Sequence, residues 1–258
     1  MHSQSIDSLN VVSTPAIDSV SLPLKSVQKM EAHWYNEAYN NSLYDTLTPV
    51  VSNNSYETIY YPELPTDTLK KRLAILDAKT PFNIAYNPAL ESVINHYLKS
   101  RKRSTETLIN RSQYYFPMFE EVLDKHNLPL EIKYLAVVES ALKPRAKSRV
   151  GATGLWQFMF ATGKQYGLEV SSYVDERCDP LRSTNAAAKY LASLYKTFGD
   201  WDLALAAYNS GPGNVTKAIR RSGGYQNYWN IRPFLPSETA GYLPAFLATF
   251  YLFEYADA

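Results

Sequence analysis

The chain has 258 residues, 45% hydrophobic and 20% charged, with 10 Gly and 15 Pro, a composition that excludes disorder and fibrous repeats and leaves room for a sizeable core. Its 26 basic and 25 acidic residues give a formal charge of +1, so the chain carries no overall electrostatic footprint for nucleic acid or an anionic membrane surface. One cysteine, Cys178, excludes an internal disulfide framework and a cysteine-based zinc cluster, and its Arg-Cys-Asp-Pro setting predicts a buried structural thiol.

Residues 1–30 are rich in Ser, Asp, Thr and Val and are interrupted by Pro15 and Pro23, which predicts an extended leader. A short helix is expected around Glu31 to Tyr44, ahead of the polar Ser52-Asn53-Asn54-Ser55 and the Pro62 and Pro65 pair. From Thr66 the pattern turns helical. Leu69, Leu73, Ile75 and Leu76 suit one amphipathic helix, and Pro88 opens another carrying Leu90, Val93, Ile94, Tyr97 and Leu98. Ser104 or Thr105 is a candidate cap for a third, running through Leu108, Tyr115, Phe119 and Val122 to a stop near Asn127-Leu128-Pro129. Leu130 to Ser140 is strongly apolar. Ala187, Tyr190, Leu191, Leu194, Tyr195 and Phe198 then form a helical stripe ending at Gly199-Asp200. Asp202 to Ser210 precedes a Gly211-Pro212-Gly213 break, a further helix reaches Arg221, and the last starts near Ser237 with Pro244 as a bend. No strand pattern competes, so the fold class is mainly α. No segment has the apolar length of a membrane span, and the first residues have neither the basic nor the apolar region of a signal peptide, so the chain reads as soluble.

Several chemistries lack their signals. His2, His33, His96 and His126 have no metal-ligand spacing, and no phosphate loop, dinucleotide turn or serine elbow is present. Neither a metal nor a cofactor is expected. Tyrosine is abundant, 21 residues, but it is spread evenly along the chain and so marks no particular segment for sugar stacking.

One carboxylate is oddly placed. Glu139 ends the apolar run Ile132 to Ser140, with Leu135 and Ala136 on its face. Burial there would hold the acid neutral and able to protonate a leaving oxygen; alternatively, a helix-end Glu simply turns out to solvent. Downstream, Gly154-Leu155-Trp156-Gln157-Phe158-Met159 joins a turn to an amide that could meet sugar hydroxyls and two groove-walling side chains. Tyr208-Asn209-Ser210-Gly211 is either a functional helix end or an ordinary C-cap. Glu238 and Tyr242 stand four apart on one helix face.

In order and spacing, Glu139-Ser140, Gly154-Leu155-Trp156-Gln157, Ala207-Tyr208-Asn209 and Glu238-Thr239-Ala240-Gly241-Tyr242 resemble the catalytic domain of the lytic murein transglycosylases of the soluble-transglycosylase superfamily. Ser148, Gly151-Ala152, Thr162-Gly163, Asp175-Glu176-Arg177 and Ser183 to Ala187 are similar to the membrane-bound D subgroup. The resemblance covers about residues 105–256. It implies a lysozyme-like (goose-type lysozyme/soluble lytic transglycosylase) helical domain at 105–258, with a helical part at 66–104 packed on it and a poorly defined N-terminal extension at 1–65.

The resemblance also implies roles. Glu139 would be the general acid and then base, with Ser140 orienting its carboxyl. Gln157 and Met159 would contact the sugar beside the cleaved link, Tyr208 would place its hydroxyl by the catalytic site, Asn209 would hold that loop or touch substrate, and Glu238 and Tyr242 would line the groove. The expected partner is the glycan strand of peptidoglycan, met by a monomer in the periplasm or cell envelope, with no nucleic acid. A lone acid suits cleavage without water to a 1,6-anhydro end, since hydrolysis by a carboxylate pair needs a second carboxylate across the ring. Glu238 is the reservation: it could steady a cation, or merely complement the helix N-terminus. A goose-lysozyme-like muramidase that uses water is the nearest alternative, and a non-catalytic glycan-binding module the other. A signal sequence, a lipid-attachment Cys and a wall-binding repeat, all expected of the D subgroup, are missing from the sequence.

Overall fold

The computed structural model describes residues 64–100 and 102–255. The expected helix at residues 31–44 and most of the 1–65 extension lie outside them. Among the described residues the fold is helical, its nearest approach to a sheet being the isolated bridges Lys147–Thr153, Thr153–Phe158 and Val170–Asp175. The helices are α1 (Thr66–Asp77), α2 (Pro88–Ser100), α3 (Lys102–Lys125), α4 (Lys133–Ser140), α5 (Phe160–Gln165), α6 (Pro180–Phe198), α7 (Trp201–Ser210), α8 (Pro212–Arg221), α9 (Tyr228–Ile231) and α10 (Ser237–Glu254).

The local causes are readable. In α1, Leu69, Leu73 and Leu76 are buried at i, i+4 and i+7, while Ile75 points off that stripe and is exposed, against expectation. Leu98 of α2 is turned outward for the same reason. Helix α3 begins at Lys102, so Ser104 and Thr105 fall inside its first turn instead of capping it. It ends at Lys125, and Asn127 takes a left-handed φ of 53° just beyond. Helix α6 starts earlier than its apolar stripe suggests: the Asp179 side chain accepts from the Arg182 N–H (2.8 Å) and Pro180 occupies the first turn. Gly199 closes it with a φ of 66°.

Helix α10 lies at the centre. Its apolar residues run all round, which is the pattern of a helix enclosed by others, and it packs against α2, α4 and α7. Leu243, Phe246 and Leu247 are fully or almost fully buried, each contributing about 2 kcal/mol of apolar burial. Pro244 sits within the continuous helix. Helix α4 in turn contacts α3 and α10, so the element that ends in Glu139 is clamped between two long helices. Cys178 is half-buried, not sealed in the core; it ends a short 3-10 turn (Glu176–Cys178).

Candidate active site

Helix α4 stops abruptly after Ser140. Ala141 and Leu142 both take left-handed backbone angles, φ 51° and 57°, a conformation that costs an L-residue about 1–2 kcal/mol. The Ala141 N–H bonds the Val137 carbonyl (2.9 Å) and the Leu142 N–H bonds that of Ala136 (3.4 Å), while Arg111 holds the Ala141 carbonyl at 2.9 Å. Strain of this sort persists where surrounding contacts over-determine it. Here it fixes the direction in which the last turn of α4, and therefore Glu139, projects.

Ser140 is placed differently from expectation. Its hydroxyl is buried and lies on two backbone oxygens, Ala136 (3.0 Å) and Leu155 (2.9 Å). It does not touch the Glu139 carboxyl. It ties the helix end to the next piece of the site, the turn at 154–157, because a buried hydroxyl at a helix terminus bonds the carbonyls within its reach.

That turn is held from behind by a residue sequence reasoning had not singled out as functional. Arg177 is buried, pairs with Asp175 (2.8 Å), and donates to the carbonyls of Gly151 (3.0 Å) and Phe158 (3.1 Å). The turn passes so close that a Cβ on Gly154 would lie 1.8 Å from the Arg177 carbonyl oxygen, so only glycine fits. Trp156 anchors the same segment inward, donating to Thr184 Oγ1 (2.9 Å) and packing on Phe119. Gln157 is thereby forced to a φ of 47°. Its amide NH2 donates to the carbonyls of Gly154 (2.8 Å) and Ala146 (3.3 Å), and its Oε1 is buried without a partner. Most of its hydrogen-bonding capacity thus serves its own turn, leaving one acceptor. Met159, at the start of α5, is exposed.

The opposite side comes from α7 and α10. Tyr208 donates to the Trp156 carbonyl (2.7 Å), joining α7 to the turn. Asn209 bridges to α10 twice, donating to Glu238 Oε1 (3.2 Å) and accepting from Thr239 Oγ1 (2.8 Å). Its place at the end of α7 is therefore also a connection between helices. Tyr242, one turn along α10 from Glu238, donates a short hydrogen bond to Glu139 Oε1.

The electrostatics centre on Glu139. Crowding by protein atoms pushes its carboxyl up to about 8, the nearby Glu238 carboxylate adds to that, and the Tyr242 hydrogen bond opposes both. The C-terminal end of α4 also disfavours a negative charge. The side chain is nonetheless only partly enclosed, so it is poorly hydrated yet reachable. The outward, fully solvated alternative is overturned. Burial raises Glu238 too, against its bond from Asn209, and holds the Tyr208 and Tyr242 hydroxyls protonated, hence able to donate. Among the described residues no group of three or more His, Cys, Asp or Glu is arranged to hold a metal.

The described residues form a helical domain of the lysozyme-like class, in which the partly enclosed Glu139 lies between a strained helix end and two tyrosines. Residues 117–231 match the Transglycosylase SLT domain, so the chain carries a domain of the SLT transglycosylase family. It is 35% identical over 179 residues to the membrane-bound lytic murein transglycosylase D of Escherichia coli K12, an alignment covering 68% of this chain and 39% of that protein. It is 36% identical over 120 residues to the soluble lytic murein transglycosylase of the same strain, covering 44% and 19%. The structure of a 70-kDa soluble lytic transglycosylase in complex with bulgecin A shares the fold, with a TM-score of 0.50 at 21% identity over 91% of this chain and 44% of the other. The chain thus spans about two fifths of the D-type relative's length. Among the described residues no helix is long and apolar enough to cross a membrane.

Proposed function

We propose that this chain cleaves the β-1,4 link between N-acetylmuramic acid and N-acetylglucosamine in peptidoglycan without consuming water. The observation that carries the reading is Glu139, an acid kept neutral to about pH 8 yet reachable by a substrate. With Tyr242 on Oε1, the proton resides on Oε2 and is transferred to the glycosidic oxygen as the C1–O bond breaks. The carbonyl oxygen of the muramic 2-acetamido group bonds to C1 and stabilises the cation. The Glu139 carboxylate then takes the proton of the C6 hydroxyl while O6 displaces the acetamido oxygen from C1. A 1,6-anhydro ring closes and the acid is regenerated.

In this scheme Glu139 is the acid and then the base. Burial keeps it protonated, with Glu238 adding to that effect and lending negative charge near the developing cation, while Ser140 positions the helix end. Gln157, Met159, Tyr208 and Asn209 form or support the wall against which the sugar beside the break is held. We assign catalysis to residues 105–258, with 66–104 as a helical support and 1–65 as an extension, working as a monomer in the periplasm or cell envelope.

Mass analysis of a murein digest tests the reading. Muropeptides lighter by one water than reducing products are expected. Reducing ends alone would identify a muramidase of goose-lysozyme type, and binding of glycan without release of products would identify a non-catalytic module.

A further inference from the structure

The aromatic side of the site does not end at Tyr208. Its ring lies 5.2 Å, centroid to centroid, from that of Tyr190, which lies 4.9 Å from that of Tyr166. All three tyrosines are partly exposed. Tyr166 is then one wall of a groove of about 310 Å³ that includes none of the residues assigned above; Leu168, Glu176, Arg182, Asn185 and Lys189 also line it. That volume reaches the lower end of the range for small-molecule sites, enough for a short peptide.

The groove is built from one face of α6 and the loop that precedes it. Arg182, Asn185 and Lys189 follow at i, i+3 and i+7, so they share a face. Glu176 already has partners: Arg182 Nη1 at 2.6 Å and the Glu169 N–H at 2.8 Å. Asn185 donates to the Leu181 carbonyl and lies within hydrogen-bond reach of the His126 ring at 3.3 Å. Lys189 projects from this face exposed to solvent. Arg182 and Glu176 offset one another, and the Lys189 ammonium adds a positive charge to the lining, so the groove favours an anion.

We propose that this groove binds the peptide stem carried by the glycan strand, a reading that rests on the proposed function. The chemistry selects the stem over the glycan. The muramic carboxyl is consumed in the amide that attaches the stem, so the strand itself is neutral and the free carboxylates of the substrate belong to the stems. The geometry agrees, since two ring steps separate Tyr208 from the groove and three extended residues at roughly 3.3–3.6 Å each span that interval. Planar amides lie well on the partly exposed tyrosine faces, and the Lys189 ammonium meets a stem carboxylate.

Two measurements on the full chain test this. The dipeptide L-alanyl-D-isoglutamate, common to the stems, is titrated into the Glu139→Gln protein and followed by backbone amide shifts. Shifts centred on Tyr166, Glu176 and Lys189 that weaken in a Glu139→Gln, Lys189→Glu protein support the proposal; shifts elsewhere, or none, overturn it. In parallel, cleavage rates are compared on stem-bearing strands and on strands stripped by an amidase, whose only carboxylates are the freed muramic ones held at the glycan. Lys189→Glu is expected to lower the ratio of the two rates about fivefold, the scale of a partly screened charge pair reversed. An unchanged ratio overturns the proposal. Dipeptide binding in the groove of a protein that cleaves no strand would sink the catalytic reading alone, whereas anhydro products with an unchanged ratio and no dipeptide shifts would sink only the stem site.

Discussion

Glu139 and Asp202 are both carboxyls that burial pushes toward neutrality, Glu139 up to about 8 and Asp202 up to about 7. They differ in their surroundings. Asp202, in the first turn of α7, is 1% exposed; Asn83 donates to one oxygen at 3.1 Å and the other has no partner. Asp200 and Asp77 stand nearby and raise it further. Glu139 is only partly enclosed, receives the Tyr242 hydroxyl, and lies near Tyr208 of α7 and Glu238 of α10. A perturbed acid alone therefore does not mark an active site: each of these carboxyls receives one side-chain donor, and access is what separates them.

The sharpest way to break the comparison is to neutralise the acid assigned to catalysis. Glu139→Gln keeps the shape and removes the proton donor, and murein cleavage is expected to fall by about 10²–10⁴-fold. Circular dichroism and thermal melting should show the fold kept. Cleavage close to wild type would remove Glu139 from the mechanism and leave it no better placed than Asp202.

Two neighbours should act with smaller and opposite effects on pH dependence. The acid must be protonated to begin the reaction, so activity should be lost as pH rises through about 8. Tyr242→Phe deletes the hydrogen bond that lowers the Glu139 pKa, so the alkaline limb should move up, while lost positioning costs about tenfold in rate. Glu238→Gln deletes the charge that raises it. Its limb should move down, with a loss of about two- to fivefold above pH 7. Rate profiles from pH 5 to 9 check both. Limbs moving in the same direction would show that these side chains do not act through Glu139.

The parts of this candidate site stand out locally in the sequence, but their roles came only with the resemblance to a family. An acid ending an apolar run, a glycine turn before an amide, and an i, i+4 Glu–Tyr pair are patterns of spacing. So were the stripes of α1, α2 and α6. What stayed hidden depended on tertiary contact. The left-handed pair Ala141-Leu142 carries no glycine to announce it, being imposed by Arg111 and the packing of α4. Arg177 matched a motif, but its burial under the 151–158 segment could not be read from spacing. Ser140 has the chemistry to bond a carboxyl, yet two carbonyls lie closer. The short elements α5 and α9 are too brief to leave a period.

The smallest expected effect on activity comes from Asp202 itself. Its folded pKa, about 7, lies above the ordinary aspartate value of 3.8. As pH rises from about 4 to 7 the unfolded chain gives up its proton first, so stability is lost across that window and stays lost above it. Glu139 imposes the same sign of penalty between the ordinary glutamate value of 4.5 and about 8. Asp202→Asn should therefore raise stability at pH 8 by about 1–3 kcal/mol and change little at pH 4. The N-terminus of α7, which favours a negative charge nearby, keeps the gain toward the lower end. Glu139→Gln should share that alkaline stabilisation, so melting at pH 4 and pH 8 would group the two substitutions while cleavage separates them. A loss of cleavage in Asp202→Asn, with its melting raised as expected, would mean that the Asn83–Asp202 contact reaches the groove and that the two carboxyls belong to one functional unit.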